Sequence, residues 1–333
     1  MSSPLVSVVI CHHTGDLIHK AVNSIKDSTF VTPEIIVVSS VKDLILHGVE
    51  HILFDTSLPA RKRNIGIKFS RSKFVAFFDD DIEVTKYAIH EMLNVLKDDT
   101  IGMVFGKLLN MEHPGRFDEA GGFLTSTGFI WARAESGVED YGQFNTTEPI
   151  FAGKSAACMV KRDIFWRSGG FDESFGILGE ESDLAWRVWL QGYKVMYAPK
   201  SVTYHAFNTR FKPVDKYYTN ERVYFNGCRN YLLMLLKNAP LRMLIIALPV
   251  QLLAWTTAAI GHLWHKNWKA CLLILKAQLT VLCSLSRIMK KRRLVQKEAK
   301  VSHNEVFKIV LKNPPISYYV NRLKSYIRTG LHG

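Results

Sequence analysis

Three consecutive carboxylates, Asp79-Asp80-Asp81, follow directly on an unbroken apolar run, Phe74-Val75-Ala76-Phe77-Phe78. Like charges so close repel and raise one another's pKa unless a cation sits among them. Mg2+ or Mn2+ removes that cost, and each is commonly held by one or two carboxylates together with substrate phosphates. The triplet therefore reads either as a cation site for a nucleotide diphosphate or as a solvated turn, and its place at the end of an apolar strand favours the cation. Arg63, in the run Arg61-Lys62-Arg63, offers either a bidentate donor to a diphosphate or a surface helix cation. Glu180, Glu181 and Asp183 open an expected helix, where the N-terminal dipole favours negative charge. His205 follows the last expected strand, as a structural histidine or as a neutral imidazole ligand.

These groups need a scaffold, and the hydrophobic pattern supplies one. Val6 to Ile10 and Glu34 to Val38 read as strands, separated by Asp16 to Ser28, where Leu17, Ile18, Ala21, Val22 and Ile25 recur at helical spacing. A further helix is expected over Arg61 to Ser70, just before the strand Phe74 to Phe78. Strands alternating with helices predict an α/β fold with a mostly parallel central sheet and helices on both faces. Ligands of such sheets lie beyond the carboxyl ends of the strands, where the acidic triplet stands. After Thr100 the pattern turns to shorter strands and Gly-rich loops, up to Gly169-Gly170-Phe171-Asp172. A helix from Glu181 to Gln191, stopped by Gly192, and a strand from Lys194 to Tyr197 lead through Pro199 to His205.

Charge divides the chain in two. The whole carries +13, yet residues 1 to 215 hold 23 basic against 27 acidic side chains, while 216 to 333 hold 20 basic against only Glu221, Glu298 and Glu305. A surplus of that size points to a polyanion, either nucleic acid or an anionic membrane surface. Met243 to Trp264 contains no charged residue over 22 positions, close to the ~20 that cross a bilayer core as helix, which favours membrane over nucleic acid. A second apolar run covers Cys271 to Ser286, interrupted by Lys276. The expected division is a domain over 1–215 and a helical, basic, membrane-associated region over 216–333. That region is a hairpin of two spans with both ends cytoplasmic or a set of amphipathic helices in the interface, against the alternative of a soluble helical subdomain with a buried core helix. Five scattered cysteines without a Cys-x-x-Cys pair fit a reducing cytosol, and the N-terminus lacks a basic signal region. The expected location is the cytoplasmic face of the cell membrane.

Taken in order, several blocks resemble glycosyltransferase family 2, with its A-type nucleotide-sugar fold, and in particular its rhamnosyltransferase-like polysaccharide enzymes. The blocks are Val6-Ser7-Val8-Val9-Ile10, Arg63-Asn64-x-Gly66, Phe77-Phe78-Asp79-Asp80-Asp81, Gly169-Gly170-Phe171-Asp172-Glu173 and Glu180-Glu181-Ser182-Asp183-Leu184-Ala185-Trp186-Arg187. Gly192-Tyr193, Pro199 and His205 follow in family order. The resemblance implies a divalent metal, Mn2+ or Mg2+, on Asp79, Asp81 and His205. It places His12, Arg63, Asp79 and Asp80 around a nucleotide-diphosphate sugar, with Asp80 toward the ribose. Glu181 stands where the family has its general base, usually Asp, and Asp183 would orient the acceptor or the base. The implied reaction is inverting transfer to a hydroxyl of a glycan or polyprenyl-linked acceptor. His12-His13 and Ser39-Ser40 depart from the family pattern around the nucleotide base.

Other functions remain open. A noncatalytic nucleotide-sugar-binding or scaffold protein of the same fold is compatible with Ser39 and Glu181. A nucleotidyltransferase would share the sheet and acidic site, but no Gly-rich basic loop stands near the N-terminus. A nicotinamide dehydrogenase is disfavoured, since no Gly-x-Gly-x-x-Gly follows the first strand.

Overall fold

The computed structural model describes residues 5–13, 15–206 and 220–329. The chain divides into two compact units, one of residues 1–122, 132–176 and 180–210, the other of 123–131, 177–179 and 211–333. The expected boundary after Asp215 lies outside the described residues.

The first unit opens with β1 (Val6–His12), α1 (Leu17–Lys26), β2 (Glu34–Ser39), β3 (Glu50–Leu53), α2 (Pro59–Phe69) and β4 (Phe74–Asp79). Their strands pair in parallel in the order β3-β2-β1-β4. The apolar spacing noted for α1 buries Ile18, Ala21, Val22 and Ile25 against this sheet. α2 sits on β1 so closely that a Cβ on Gly66 would lie 2.3 Å from Val9 Cγ1, so glycine is required there.

β5 (Ile82–Val84), α3 (Ala88–Leu96), β6 (Ile101–Asn110), β7 (Phe117–Glu119), β8 (Gly122–Leu124), β9 (Ile130–Ala132), β10 (Glu148–Pro149), β11 (Ala157–Lys161), α4 (Arg162–Arg167), α5 (Glu180–Leu190) and β12 (Lys194–His205) follow in chain order, with β8 and β9 pairing as a separate two-stranded sheet that falls mostly in the second unit. The main sheet continues from β4 as β11-β6-β12-β10, with β5 on β12 and β7 on β6. β11 runs antiparallel to both β4 and β6, while β12 is parallel to β6. The sheet is therefore mixed, where a mostly parallel one was expected. The strand-helix alternation that forces parallel pairing ends at β4, and beyond it other connections allow strands to return antiparallel. β12 is also longer than the expected Lys194 to Tyr197. Pro199 offers no N–H to the ladder, and the register slips between Ala198 and Val202 before pairing resumes to His205.

The second unit contains α6 (Asn220–Asn238), α7 (Leu241–Trp264), α8 (Trp268–Cys283), α9 (Leu285–Glu298), α10 (His303–Val310) and α11 (Ile316–Thr329). α7 is long and apolar enough to cross a membrane by length and composition. The second apolar run, expected to 286, ends as α8 at Cys283, and the chain bends by 64° into α9.

Candidate active site

β4 delivers the acidic triplet to the carboxyl edge of the parallel strands. Asp79 is its last residue, in register with Cys11 of β1, so Asp80 emerges beside His12. His12 Nδ1 lies 2.7 Å from Asp80 Oδ2, and the His13 N–H donates to the same oxygen at 3.3 Å. Lys62 Nζ donates to the His12 carbonyl. His12 is buried, so it orients Asp80 and offers little surface of its own to a nucleotide.

Arg63 is also buried, and its guanidinium is divided between two carboxylates. Nη2 donates to Asp79 Oδ1 at 2.8 Å and Nη1 to Glu180 Oε1 at 2.9 Å, with the ring of Phe171 5.5 Å away. Arg63 is therefore not a surface helix cation, and this clamp ties β4 to the start of α5. Burial would lower its pKa, but Asp79 and Glu180 together with Cys11 more than offset this and keep it charged. Asn64, one residue on, holds the Gly169–Phe171 turn in place: its amide donates to the Phe171 carbonyl at 2.9 Å and accepts from the Phe171 N–H at 3.0 Å. Gly169 and Gly170 have φ of 83° and 66°, which glycine alone adopts without strain.

His205 reaches the triplet because the end of β12 pairs with β5 directly after the triplet, with His205 opposite Ile82. Its Nε2 lies 3.3 Å from Asp81 Oδ1, and its Nδ1 lies 2.8 Å from Asp118 Oδ2. Lys154 Nζ completes the chain 2.8 Å from Asp118 Oδ1. Ligand atoms of Asp79, Asp81 and His205 all lie within 4.8 Å of one another. Two carboxylate oxygens and one imidazole nitrogen, with a carboxylate fixing the imidazole from behind, form a donor set that suits Mn2+ or Mg2+. Burial would lower the His205 pKa, yet Asp81 and Asp118 push it up to about 10, so a cation there competes with a proton. Asp118 is itself buried, and Lys154 and His205 hold its carboxyl well below the usual carboxylate range.

Glu181 stands at the first turn of α5, half-buried, beside the buried Glu180. Desolvation and the neighbouring Glu180 raise its carboxyl well above 4.5, with Arg63 opposing. Glu119, at the end of β7, also acts on Glu181 electrostatically. Its own carboxyl is pushed up to about 7 by burial, with Asp118 adding to the rise and Lys154 opposing, and its buried Oε2 finds no hydrogen-bond partner among the described residues. Asp183, by contrast, is fully buried and accepts from Arg187 Nη2 at 2.6 Å and Nε at 3.1 Å. Asp183, expected to orient the acceptor or the base, thus holds a buried ion pair in the first turn of α5, which Arg187 Nη1 extends by donating to the Ser168 carbonyl. Ser39 Oγ, where family members place a base-holding Asp, accepts from the Val41 N–H at 2.9 Å.

The structure thus gathers Asp79, Asp80, Asp81, His12, Arg63, Glu181 and His205 in one unit, and adds Asp118, Glu119 and Lys154, which sequence reasoning missed. Those three lie between β6 and β11, where short strands carry no periodicity. Their one visible mark is the acidic pair Asp118-Glu119 ahead of Gly121-Gly122.

Comparison with known proteins bears on the fold and the family. Over 139 residues the chain is 28% identical to an O-antigen biosynthesis protein of Myxococcus xanthus, across 40% of this chain and 11% of that protein. It is 27% identical to the pre-mycofactocin glycosyltransferase of Mycobacterium tuberculosis, across 46% of this chain and 31% of that one. The chain thus spans under a third of either relative. Among solved structures it resembles GalNAc-T7 with UDP, GalNAc and Mn2+ at a TM-score of 0.51 and 15% identity, covering 61% of this chain and 43% of the other, a likeness of fold. The profile described as glycosyltransferase like family 2 matches residues 8–248, well over half the length, and the chain belongs to that family.

Proposed function

We propose that this protein is an inverting glycosyltransferase that moves a sugar from a nucleotide-diphosphate donor to a hydroxyl of a glycan or lipid-linked acceptor. The observation that carries the reading is the convergence of Asp79, Asp81 and His205 within 4.8 Å at the carboxyl end of β4, in the same unit as the raised carboxyl of Glu181. The Mn2+ and UDP of the GalNAc-T7 structure support a divalent cation and a nucleotide donor here. Asp79, Asp81 and His205 would hold Mn2+ or Mg2+, which when bound stabilises the charge on a departing diphosphate.

The remaining work falls to the chain's own residues. Asp80, oriented by His12 and the His13 N–H, presents its carboxylate toward a ribose. Arg63 fixes Asp79 and Glu180, and so holds the start of α5 against the end of β4. Glu181 accepts the acceptor's proton as the hydroxyl oxygen bonds to C1 and the bond from C1 to the diphosphate oxygen breaks, which inverts C1. A carboxyl raised by desolvation is a stronger base than an exposed glutamate. The O-antigen biosynthesis relative supports a glycan acceptor. Single-turnover sugar transfer by Glu181→Gln tests the base: loss of transfer with donor binding retained supports it, and undiminished transfer places the base elsewhere.

A further inference from the structure

The second unit, taken by itself, leaves a wide apolar surface uncovered. α7 buries Met243, Ala247, Gln251, Trp255 and Ala258 on one side. On the other, Leu241, Ile245, Ile246, Leu253, Ile260 and Leu263 are each 55% to 70% exposed. α8 packs on α7 and exposes Trp268, Leu272, Leu275, Leu279 and Leu282, every third or fourth residue, as one helical stripe. Trp264 and Trp268, both exposed, flank the turn between these helices. Monomeric soluble proteins rarely show contiguous apolar surface of this extent.

Charge beside this surface says what covers it. After the 64° bend, α9 exposes Arg287, Lys290, Arg293 and Lys297, whose spacing puts them on one arc of the helix. Residues 216 to 333 hold only three acids. An apolar face rimmed by tryptophan and adjoined by a cationic helix matches the boundary of a bilayer with anionic headgroups.

The packing of α7 also sets the depth. Its 24 residues make about 36 Å of helix, long enough for a ~30 Å hydrocarbon core. Yet Gln251, midway along, is fully buried and donates from Nε2 to the Thr127 carbonyl at 3.1 Å. Trp255 packs beside Phe129, with ring centroids 6.2 Å apart. Both partners belong to the segment 123–131 of the same unit, which includes the Thr125-Ser126-Thr127 turn. A spanning α7 would carry that polar turn to the bilayer centre, where irregular backbone facing lipid is not tolerated.

We propose that the second unit lies on an anionic membrane as an interfacial element, with the exposed faces of α7 and α8 in the acyl boundary and the α9 cations at the headgroups. The inference uses no residue of the candidate active site and stands apart from the transferase reading. Its test is co-flotation of the full chain with vesicles of phosphatidylcholine alone or mixed with phosphatidylglycerol. Binding is expected to be at least about ten-fold stronger on the mixed vesicles, weakened by high salt and released by an alkaline wash. The quadruple change Arg287→Glu, Lys290→Glu, Arg293→Glu and Lys297→Glu should lower it by about ten-fold or more with an unchanged melting curve. Leu253→Ser with Leu272→Ser and Leu279→Ser should weaken it as well. Equal flotation on both vesicles, retention through the alkaline wash as for a span, or no flotation with a dimer in light scattering would each overturn the proposal.

Discussion

Asp118 holds His205 by its Nδ1 at 2.8 Å, and the opposite ring nitrogen lies 3.3 Å from Asp81. A carboxylate placed behind an imidazole fixes the ring and raises its basicity, and removing such a partner typically costs a metal site 10–100-fold in affinity. Asp118→Asn should therefore weaken Mn2+ binding by about that factor in calorimetry. An unchanged affinity would remove His205 from the ligand set.

Glu181→Gln should lower kcat by about 10²–10⁴ with little change in donor affinity. The wild-type rate should carry an acidic limb, because a general base must be ionised. Desolvation and Glu180 raise this carboxyl, so activity should be full at high pH and fall as pH drops through a value well above the ordinary 4.5. A limb near 4.5 would show that Glu181 is exposed in the working enzyme.

Glu119 contributes to that limb without needing to touch substrate. Its ionised form disfavours ionisation of Glu181, so Glu119→Gln should move the acidic limb to lower pH while leaving the maximal rate within about ten-fold. A pH–rate profile that stays in place would uncouple the two carboxyls.

Asp183→Asn should act on stability rather than on transfer chemistry. It breaks a fully buried pair and leaves Arg187 uncompensated, a loss of about 3–5 kcal/mol. Chemical denaturation reads this directly, and a variant of native stability but lowered kcat would restore an active role to Asp183.

How much of this was legible in the sequence depended on how locally each feature is encoded. The apolar spacing of α1 and the run Phe74 to Phe78 each report their own burial, so the parallel half of the sheet and the acidic triplet at its edge could be read directly. Burial of Arg63 could not, because its partners Asp79 and Glu180 come from different elements and nothing in Arg61-Lys62-Arg63 marks that Lys62 and Arg63 turn inward while Arg61 does not. Asp183 shows the same limit, since an acid at a helix start looks alike whether it faces solvent or Arg187. Lys154 and the pair Asp118-Glu119 join the site through β7 and the loop before β11, where no period marks their faces. The resemblance to a known family supplied the pairing of His205 with the triplet, which the β5–β12 ladder explains physically.

The central claim, a cation-dependent donor site at Asp79, Asp81 and His205, is tested most directly by thermal unfolding against a panel of nucleotide sugars with and without Mn2+ or Mg2+. Binding to the folded state raises the melting temperature by mass action. At least one nucleotide-diphosphate sugar should raise it in the wild-type protein only when the cation is present, and should have no effect on Asp81→Ala. Stabilisation by a donor that is indifferent to the cation and survives in Asp81→Ala would contradict the account.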